Sequence, residues 1–476
     1  MEFTGFFKYF KELSDVPRVS HHTKAASEFL VNFAVSHNLR YATDEPGNVI
    51  IYKPASHGYE EHSTVILQGH IDMVGAATDD CTHDFLTDGI TVLCNEDEGY
   101  LYADNTTLGA DNGIAVAYIL EILSNDQYSH PAIEAVFTVD EEVGLLGATA
   151  LDCSGLSGRY MINLDSEDEG VFVMGCAGGL RSDLRLSLPC TDTEGVGIRI
   201  VIDNLLGGHS GEMIGTGRPS ANVLMGRALK SLSDNCRFGL VSLYGGEVDN
   251  AISSSAEAVI VTDTEPGEVA SILADVNKAF LSEYAGIDDN ISVKAYEIGE
   301  GTYSCVSDIG LEKILFMLNN LPYGVQLRNP QNTALVTTSL NPGIMRLTDG
   351  EFKLGYSVRS SVKEAKRALS DRLCYFAEFM GGTCEESGDY PSWPYNPDSA
   401  LKKIAMDTYR TVFGKEAGFS VIHAGLECGI FADKMPGLDI ISYGPKMKDI
   451  HTPKERLYID SAQRVFDFTI KLLERL

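Results

Sequence analysis

Two histidines and several carboxylates are spaced through this sequence in a way that suits metal binding. His70-Ile71-Asp72, Asp140-Glu141-Glu142, Asp165-Ser166-Glu167 and His451-Thr452-Pro453 each offer a metal-capable side chain, and Asp111 stands in Leu108-Gly109-Ala110-Asp111-Asn112-Gly113. Taken singly, each has an ordinary explanation: polar residues in a turn, a solvated acidic loop, a surface histidine or, for Asp111, a helix N-cap. Together, two histidines and three carboxylates form a mixed nitrogen and oxygen donor set suited to zinc, cobalt or manganese. Five ligands exceed one tetrahedral catalytic site and suit two ions about 3.5–4 Å apart with a bridging carboxylate. Adjacent acids such as Glu141 and Glu142 repel, so a buried setting calls for a cation or a proton. A metal could take one and leave the other as a base. Residues two apart on a strand point the same way, so Asp72 can sit beside the His70 ring and accept from its second nitrogen.

The elements that must position these groups follow from the apolar pattern. Strands are expected over 48–52, 64–69, 132–139, 160–164 and 438–443, with helices over 25–35, 112–123, 400–413 and 461–473. Four of these strands lead into His70, the 140–142 acids, Asp165 and the loop to His451. In open α/β sheets, sites form beyond the carboxyl ends of strands. Phe6, Phe7, Phe10 and Leu13 mark one face of an N-terminal helix. From about residue 180 the pattern changes to half-exposed strands at 180–188, 196–202, 258–262, 291–296 and 352–358, with a helix at 220–232. The expected fold is an α/β catalytic domain with a mostly parallel central sheet, 1–180 plus 386–476, interrupted by an inserted α+β lid or dimerisation domain, 181–385.

The stretches Gln68-Gly69-His70-Ile71-Asp72-Met73-Val74, Leu108 to Gly113, Phe137 to Gly144 and Ile162 to Glu167 resemble the dinuclear zinc peptidases that include aminoacylase, bacterial carboxypeptidases and carnosine-type dipeptidases. Gly207-Gly208-His209-Ser210-Gly211 and His423-Ala424-Gly425-Leu426-Glu427-Cys428-Gly429 continue the resemblance nearly end to end. It is nearest to the branch that cleaves Xaa-His dipeptides. The resemblance implies that His70 and Asp165 bind one ion, that Glu142 and His451 bind the other, and that Asp111 bridges them. Zinc is the implied metal, with cobalt or manganese able to substitute. It further implies that Asp72 orients His70, and that Glu141 takes a proton from the attacking water and returns it to the leaving amine. His209 is implied to support the oxyanion, from its own or a neighbouring subunit. Arg359 is implied to clamp the substrate carboxylate, with His423 and Gly425 near that end of the substrate, and Asn250 to be the family's substrate-binding lid asparagine. Two departures stand out: Ser253-Ser254-Ser255 follows Asn250-Ala251-Ile252 where the family has Pro and charged residues, and Thr452 follows His451 where Ser is commoner.

Composition narrows the partners. With 68 acids against 37 bases, the net charge of -31 disfavours nucleic acid and anionic membrane surfaces, both of which need basic patches. No apolar run is long enough to span a membrane, charges interrupt the N-terminal apolar stretch, and the ten cysteines lack a C-x-x-C pair. A cytoplasmic protein with reduced thiols is expected, acting on dipeptides as a homodimer. The rivals are a sister activity on the same centre (aminotripeptidase, carboxypeptidase or N-acyl amino acid deacylase) and a non-catalytic binding protein. The completeness of the site argues against the second. A phosphohydrolase is disfavoured because no P-loop appears.

Overall fold

Phe6, Phe7, Phe10 and Leu13 recur at helical spacing, and Phe6–Ser14 is a helix that buries all four. Each such side chain taken from water contributes about 1.5–3 kcal/mol. Phe6 meets Tyr118 of the helix Ala110–Ser124 edge to face at 4.8 Å and Phe466 of the closing helix Ile459–Leu473 at 4.9 Å. The helix Ala110–Ser124 is apolar on nearly every side, so no face of it is left for water and it lies enclosed. The computed structural model describes residues 3–330 and 332–476.

The chain divides into two units. The first runs to Cys176 and adds Trp393–Val421 and Leu426–Leu476, while the second is Ala177–Ser392 with Ile422–Gly425. The sequence suggested boundaries at 180/181 and 385/386. Strand pairing moves both: Gly178–Ser187 pairs along its length with Glu351–Ser360, and Thr383–Tyr390 adds to its other edge. Residues 178–180 and 386–390 therefore share the second unit's sheet. The Ala177 N–H donates to the carbonyls of Ile422 and Ala424, which draws that short segment into the same unit.

In the first unit an eight-stranded sheet runs in the order Arg40–Thr43, Val49–Lys53, Ile133–Thr138, Val65–His70, Tyr160–Asn163, Asp439–Ser442, Val171–Cys176, Gly418–Ile422. The four middle strands, Ile133–Thr138 to Asp439–Ser442, are parallel, and the antiparallel pairs lie outside them. Val65–His70 is buried at every position, as expected of a strand covered on both faces. Because the four are parallel, the residues that follow them emerge at one edge: His70, the 140–142 acids, Asp165 and the segment leading to His451. Gly69 permits close packing there, since a Cβ would stand 2.5 Å from Asn112 Oδ1 and 2.8 Å from Ala115 Cβ.

The second unit is an antiparallel sheet in the order Ser292–Val306, Cys190–Asp203, Ala256–Thr262, Gly239–Gly245, Val336–Thr348, Glu351–Ser360, Gly178–Ser187, Thr383–Tyr390. Helices Ala221–Ser233, Pro266–Glu283, Asp308–Asn320 and Lys363–Phe379 supply apolar side chains to its core. One expectation is corrected here: not every thiol is free, because Cys374 and Cys384 form a disulfide. The chain turns from helix Lys363–Phe379 directly into Thr383–Tyr390, which brings the two Cα atoms to 5.0 Å. Among the described residues no helix is long and apolar enough to cross a membrane.

Candidate metal centre

Five side chains from separate segments of the first unit converge at the strand edge. His70 Nε2 lies 3.2 Å from Asp111 Oδ1 and 3.6 Å from Asp165 Oδ1. His451 Nε2 lies 3.0 Å from Asp111 Oδ2 and 3.0 Å from Glu142 Oε2. Asp111 therefore turns one oxygen to each group. The sets His70, Asp111, Asp165 and Asp111, Glu142, His451 each bring one donor atom per residue within 4.8 Å of the others, as do His70, Glu141 and Glu142. Donors held at 2.0–2.1 Å around a tetrahedral ion stand about 3.3 Å apart, close to these separations. Glu142 Oε1 is buried with no hydrogen-bond partner. A buried carboxylate oxygen without a partner is costly, so the donor set and this orphaned oxygen fit two cations.

The supporting bonds explain why the side chains hold these positions. Asp72 is fully buried and accepts from Ser20 Oγ at 2.8 Å, Glu141 N at 3.0 Å and Glu142 N at 3.3 Å, while its Oδ1 lies 3.3 Å from His70 Nδ1. One carboxylate thus fixes both a histidine ring and the backbone of the paired acids. The expected side-chain cap by Asp111 is not formed. Asp111 and Asn112 take non-helical backbone angles, and both Asp111 oxygens face histidines instead. Asn112 accepts from His70 N and donates to Asp165 Oδ1, joining the ends of two strands.

Sequence reasoning passed over several of these supports. Glu455 accepts from the four consecutive N–H groups of Leu108 to Asp111. Arg18, fully buried, donates to the carbonyls of Ile71, Asp72 and Gly109. Glu427 lies buried beside the strands, accepting from Gln68 and Thr138, and burial pushes its carboxyl up to about 7. Asp140 and His451 take positive φ angles of 53° and 60°, each costing on the order of 1–3 kcal/mol. The His21 N–H helps to hold the first by donating to Asp140 Oδ1 at 2.6 Å.

Charge is unbalanced at this edge, where Asp72, Asp111, Glu141, Glu142 and Asp165 surround two imidazoles. Burial pushes Glu141 well above the usual carboxylate range; His70 opposes this, and Asp165, Glu427 and Glu142 reinforce it. Burial likewise raises Glu142 and Asp165. Burial also acts to raise Asp111, but hydrogen bonds from His451 and His70 hold it below its ordinary value. His451 is pushed up to about 11 by its hydrogen bonds to Asp111 and Glu142. Burial works against a charged His70, yet Asp165, Asp111 and Asp72 hold its ring well above an ordinary histidine.

The other five residues singled out from the sequence lie in the second unit, and three of them form a cluster. Arg359 is buried, with Nη1 donating to Tyr390 Oη at 3.0 Å and Nη2 lying 3.4 Å from His209 Nε2. His423 Nε2 is 2.7 Å from Ser339 Oγ, and Ser339 is the cross-strand neighbour of Arg359. Burial, then the Arg359 charge, lowers His209; the same effects with His209 bring His423 down to about 4. Both rings are therefore neutral near pH 7. Gly425 packs against the Tyr390 ring, where a Cβ would come within 2.7 Å of its Cε2. Asn250 is exposed, and its backbone carbonyl accepts from Ser210 N beside the short pairing of Gly208–His209 with Ala251–Ile252.

Comparison with known proteins agrees with this architecture. The model of peptidase family M20/M25/M40 matches residues 66–475. The chain is 31% identical over 470 residues to the cytosol non-specific dipeptidase of Escherichia coli, covering 98% of this chain and 96% of that one. The crystal structure of aminoacylhistidine dipeptidase from Vibrio alginolyticus superposes with a TM-score of 0.88 at 32% identity, covering 99% of this chain and 96% of the other. A tripeptidase from Staphylococcus aureus shares the fold at a TM-score of 0.56 and 17% identity, over 100% of this chain and 98% of its own. The chain belongs to peptidase family M20/M25/M40 and is a peptidase.

Proposed function

From that membership and the geometry of the centre, we propose that the chain is a cytoplasmic two-metal dipeptidase acting on dipeptides with a free C-terminal carboxylate, Xaa-His dipeptides among them. The observation that carries this reading is Asp111, whose Oδ1 faces His70 and whose Oδ2 faces His451. His70 and Asp165 would hold one ion, Glu142 and His451 the other, and Asp111 both, with zinc the metal and cobalt or manganese able to replace it. Ions bound there supply polarisation of the scissile carbonyl and a water that ionises near neutral pH. Glu141 takes the proton from the attacking water and delivers it to the leaving amine. Burial raises Glu141 above the usual carboxylate range, the direction that makes it a better proton acceptor.

Arg359 binds the substrate carboxylate: no carboxylate pairs with its guanidinium among the described residues, and its buried Nε has no partner. Guanidinium binds carboxylate through two parallel hydrogen bonds. His209, kept neutral, donates to the oxyanion, either in its own subunit or across the homodimer that the reading includes. His423 and Gly425 lie near the carboxylate end, and Asn250 serves as the lid asparagine. Similarity to a relative named as cytosolic supports the location.

The test is hydrolysis by zinc-loaded protein of β-Ala-His, Ala-His, Gly-Leu, a tripeptide and an N-acetyl amino acid. A Glu141→Gln variant that retains its ions serves as the control. Cleavage of the dipeptides alone, lost in the variant by about 10²–10⁴-fold, is the expected result. Cleavage of the tripeptide or the acetylated substrate in their place overturns the dipeptidase reading. Undiminished turnover by the variant removes Glu141 from its role.

A further inference from the structure

We propose that Glu455 is a positioning residue of the metal centre, its carboxylate fixing the turn that carries Asp111 to the loop that carries His451. The inference rests on the reading that Asp111 and His451 hold the ions. Glu455 is 2% exposed. Its Oε2 accepts from Leu108 N at 2.8 Å and Gly109 N at 2.9 Å, and its Oε1 from Ala110 N at 2.8 Å and Asp111 N at 3.2 Å. These four N–H groups precede or open the helix Ala110–Ser124, where no intrahelical carbonyl is available to them. The helix has no side-chain cap of its own at Gly109. A carboxylate from the far end of the chain does that work.

An N-terminal cap could be purely structural; the position of Glu455 in the chain points further. Glu455 stands four residues after His451, and its own N–H closes a turn onto the Thr452 carbonyl at 3.1 Å. The backbone of one proposed ligand is thereby tied to the loop of another. Arg18 completes the frame from the other side, donating from Nη2 to the Gly109 carbonyl and from Nη1 to the Ile71 and Asp72 carbonyls at 3.0 and 3.3 Å. The segments 70–72, 108–111 and 451–455 are held together by these two side chains through contacts that need no ion. Two N–H groups on each oxygen of one buried carboxyl group fix the backbone of 108–111, so Asp111 is kept with an oxygen toward each histidine.

The test compares Glu455→Gln with Glu134→Gln. Glu134 has similar chemistry at the opposite end of the strand Ile133–Thr138: it is buried and accepts from Ser157 N, Ser157 Oγ and Gly158 N. Zinc affinity and stoichiometry are read by competition with a chromophoric chelator. Glu455→Gln should weaken zinc by about 10–100-fold, the usual cost of losing a group that orients metal ligands. Glu134→Gln should leave it unchanged. Parent affinity in Glu455→Gln, or an equal loss in Glu134→Gln, overturns the proposal. A variant-free measurement stands beside these: in metal-free parent protein, the amides of residues 108–111 should already exchange slowly with deuterium. Fast exchange that slows only on adding zinc overturns it as well. If the parent binds no ions, the metal reading itself has failed; if the parent binds two and Glu455→Gln binds them equally well, only this inference has.

Discussion

Replacing Asp72 by Asn tests how much of the centre depends on one buried carboxylate. Asp72 is 0% exposed and meets four donors: His70 Nδ1 and Glu141 N on Oδ1, Ser20 Oγ and Glu142 N on Oδ2. Asn is nearly the same size but uncharged, and one of its two positions donates. With its oxygen toward His70 and Glu141, its amide faces the Ser20 hydroxyl, which can rotate to accept, and the Glu142 N–H, which cannot. At least one charge-assisted hydrogen bond is lost, worth about 1.5–3 kcal/mol. That corresponds to roughly 10–100-fold in zinc affinity, since each tenfold change is about 1.4 kcal/mol. Chelator competition measures the affinity, and turnover at saturating zinc measures what remains. Because Asp72 also holds the Glu141 backbone, kcat should stay depressed after the ions are restored. Zinc affinity within threefold of the parent, together with normal saturated turnover, would refute the argument that Asp72 aligns His70 and Glu141.

Two further outcomes follow from charge. Hydrogen bonds to Asp111 and Glu142 push His451 up to about 11, and against burial Asp165, Asp111 and Asp72 hold His70 above an ordinary histidine, so protons compete with an ion for both rings. An ion requires a neutral nitrogen, so loading must expel protons and zinc affinity must rise with pH. Metal-free stability should move the opposite way. A raised histidine contributes fully below its ordinary value of 6.5, and the contribution is lost as pH climbs toward about 11. Titration calorimetry in buffers of different ionisation enthalpy counts the protons, and loading at pH 7 without proton release would refute this account. Arg359→Ala should lower kcat/KM for free-carboxylate dipeptides by about 10–100-fold, the worth of a charged hydrogen bond. An equal loss on the matching dipeptide amides would show that Arg359 does not read the carboxylate.

The strands were legible because each is a short apolar run that stops at a polar group, and that stop is also what marks the site. Val65–His70 and Ile133–Thr138 are buried throughout and give way to charged residues at one edge. Other elements carried no such signal. Thr383–Tyr390 reads Thr-Cys-Glu-Glu-Ser-Gly-Asp-Tyr, mostly exposed, and becomes a strand only because Gly178–Ser187 offers it an edge. The supports of the site were illegible for a different reason. Glu455 acts on residues 344 to 347 positions away, and Arg18 on carbonyls 53 to 91 positions away. A lone acid after His451-Thr452-Pro453-Lys454 has no periodicity or spacing to distinguish it from a solvated one. Asn112 stood inside a recognisable stretch, but its use, joining His70 N to Asp165, depends on two strands being adjacent.

These supports bear on why the centre tolerates so much local cost. Two residues at positive φ, an orphaned Glu142 oxygen, and buried acids pushed upward by burial and by one another all destabilise the metal-free fold. Positive φ alone costs on the order of 1–3 kcal/mol at each of the two residues. An ion that binds only the folded state, at a thousand times its Kd, returns about 4 kcal/mol. Two ions therefore offset a cost of this size. That offset is available only if the donors are held in place in advance, because ligands that must first be gathered spend binding energy on their own ordering. Asp72, Arg18 and Glu455 do that gathering through backbone carbonyls and N–H groups. The groups proposed to hold the ions are thus set by residues outside that set.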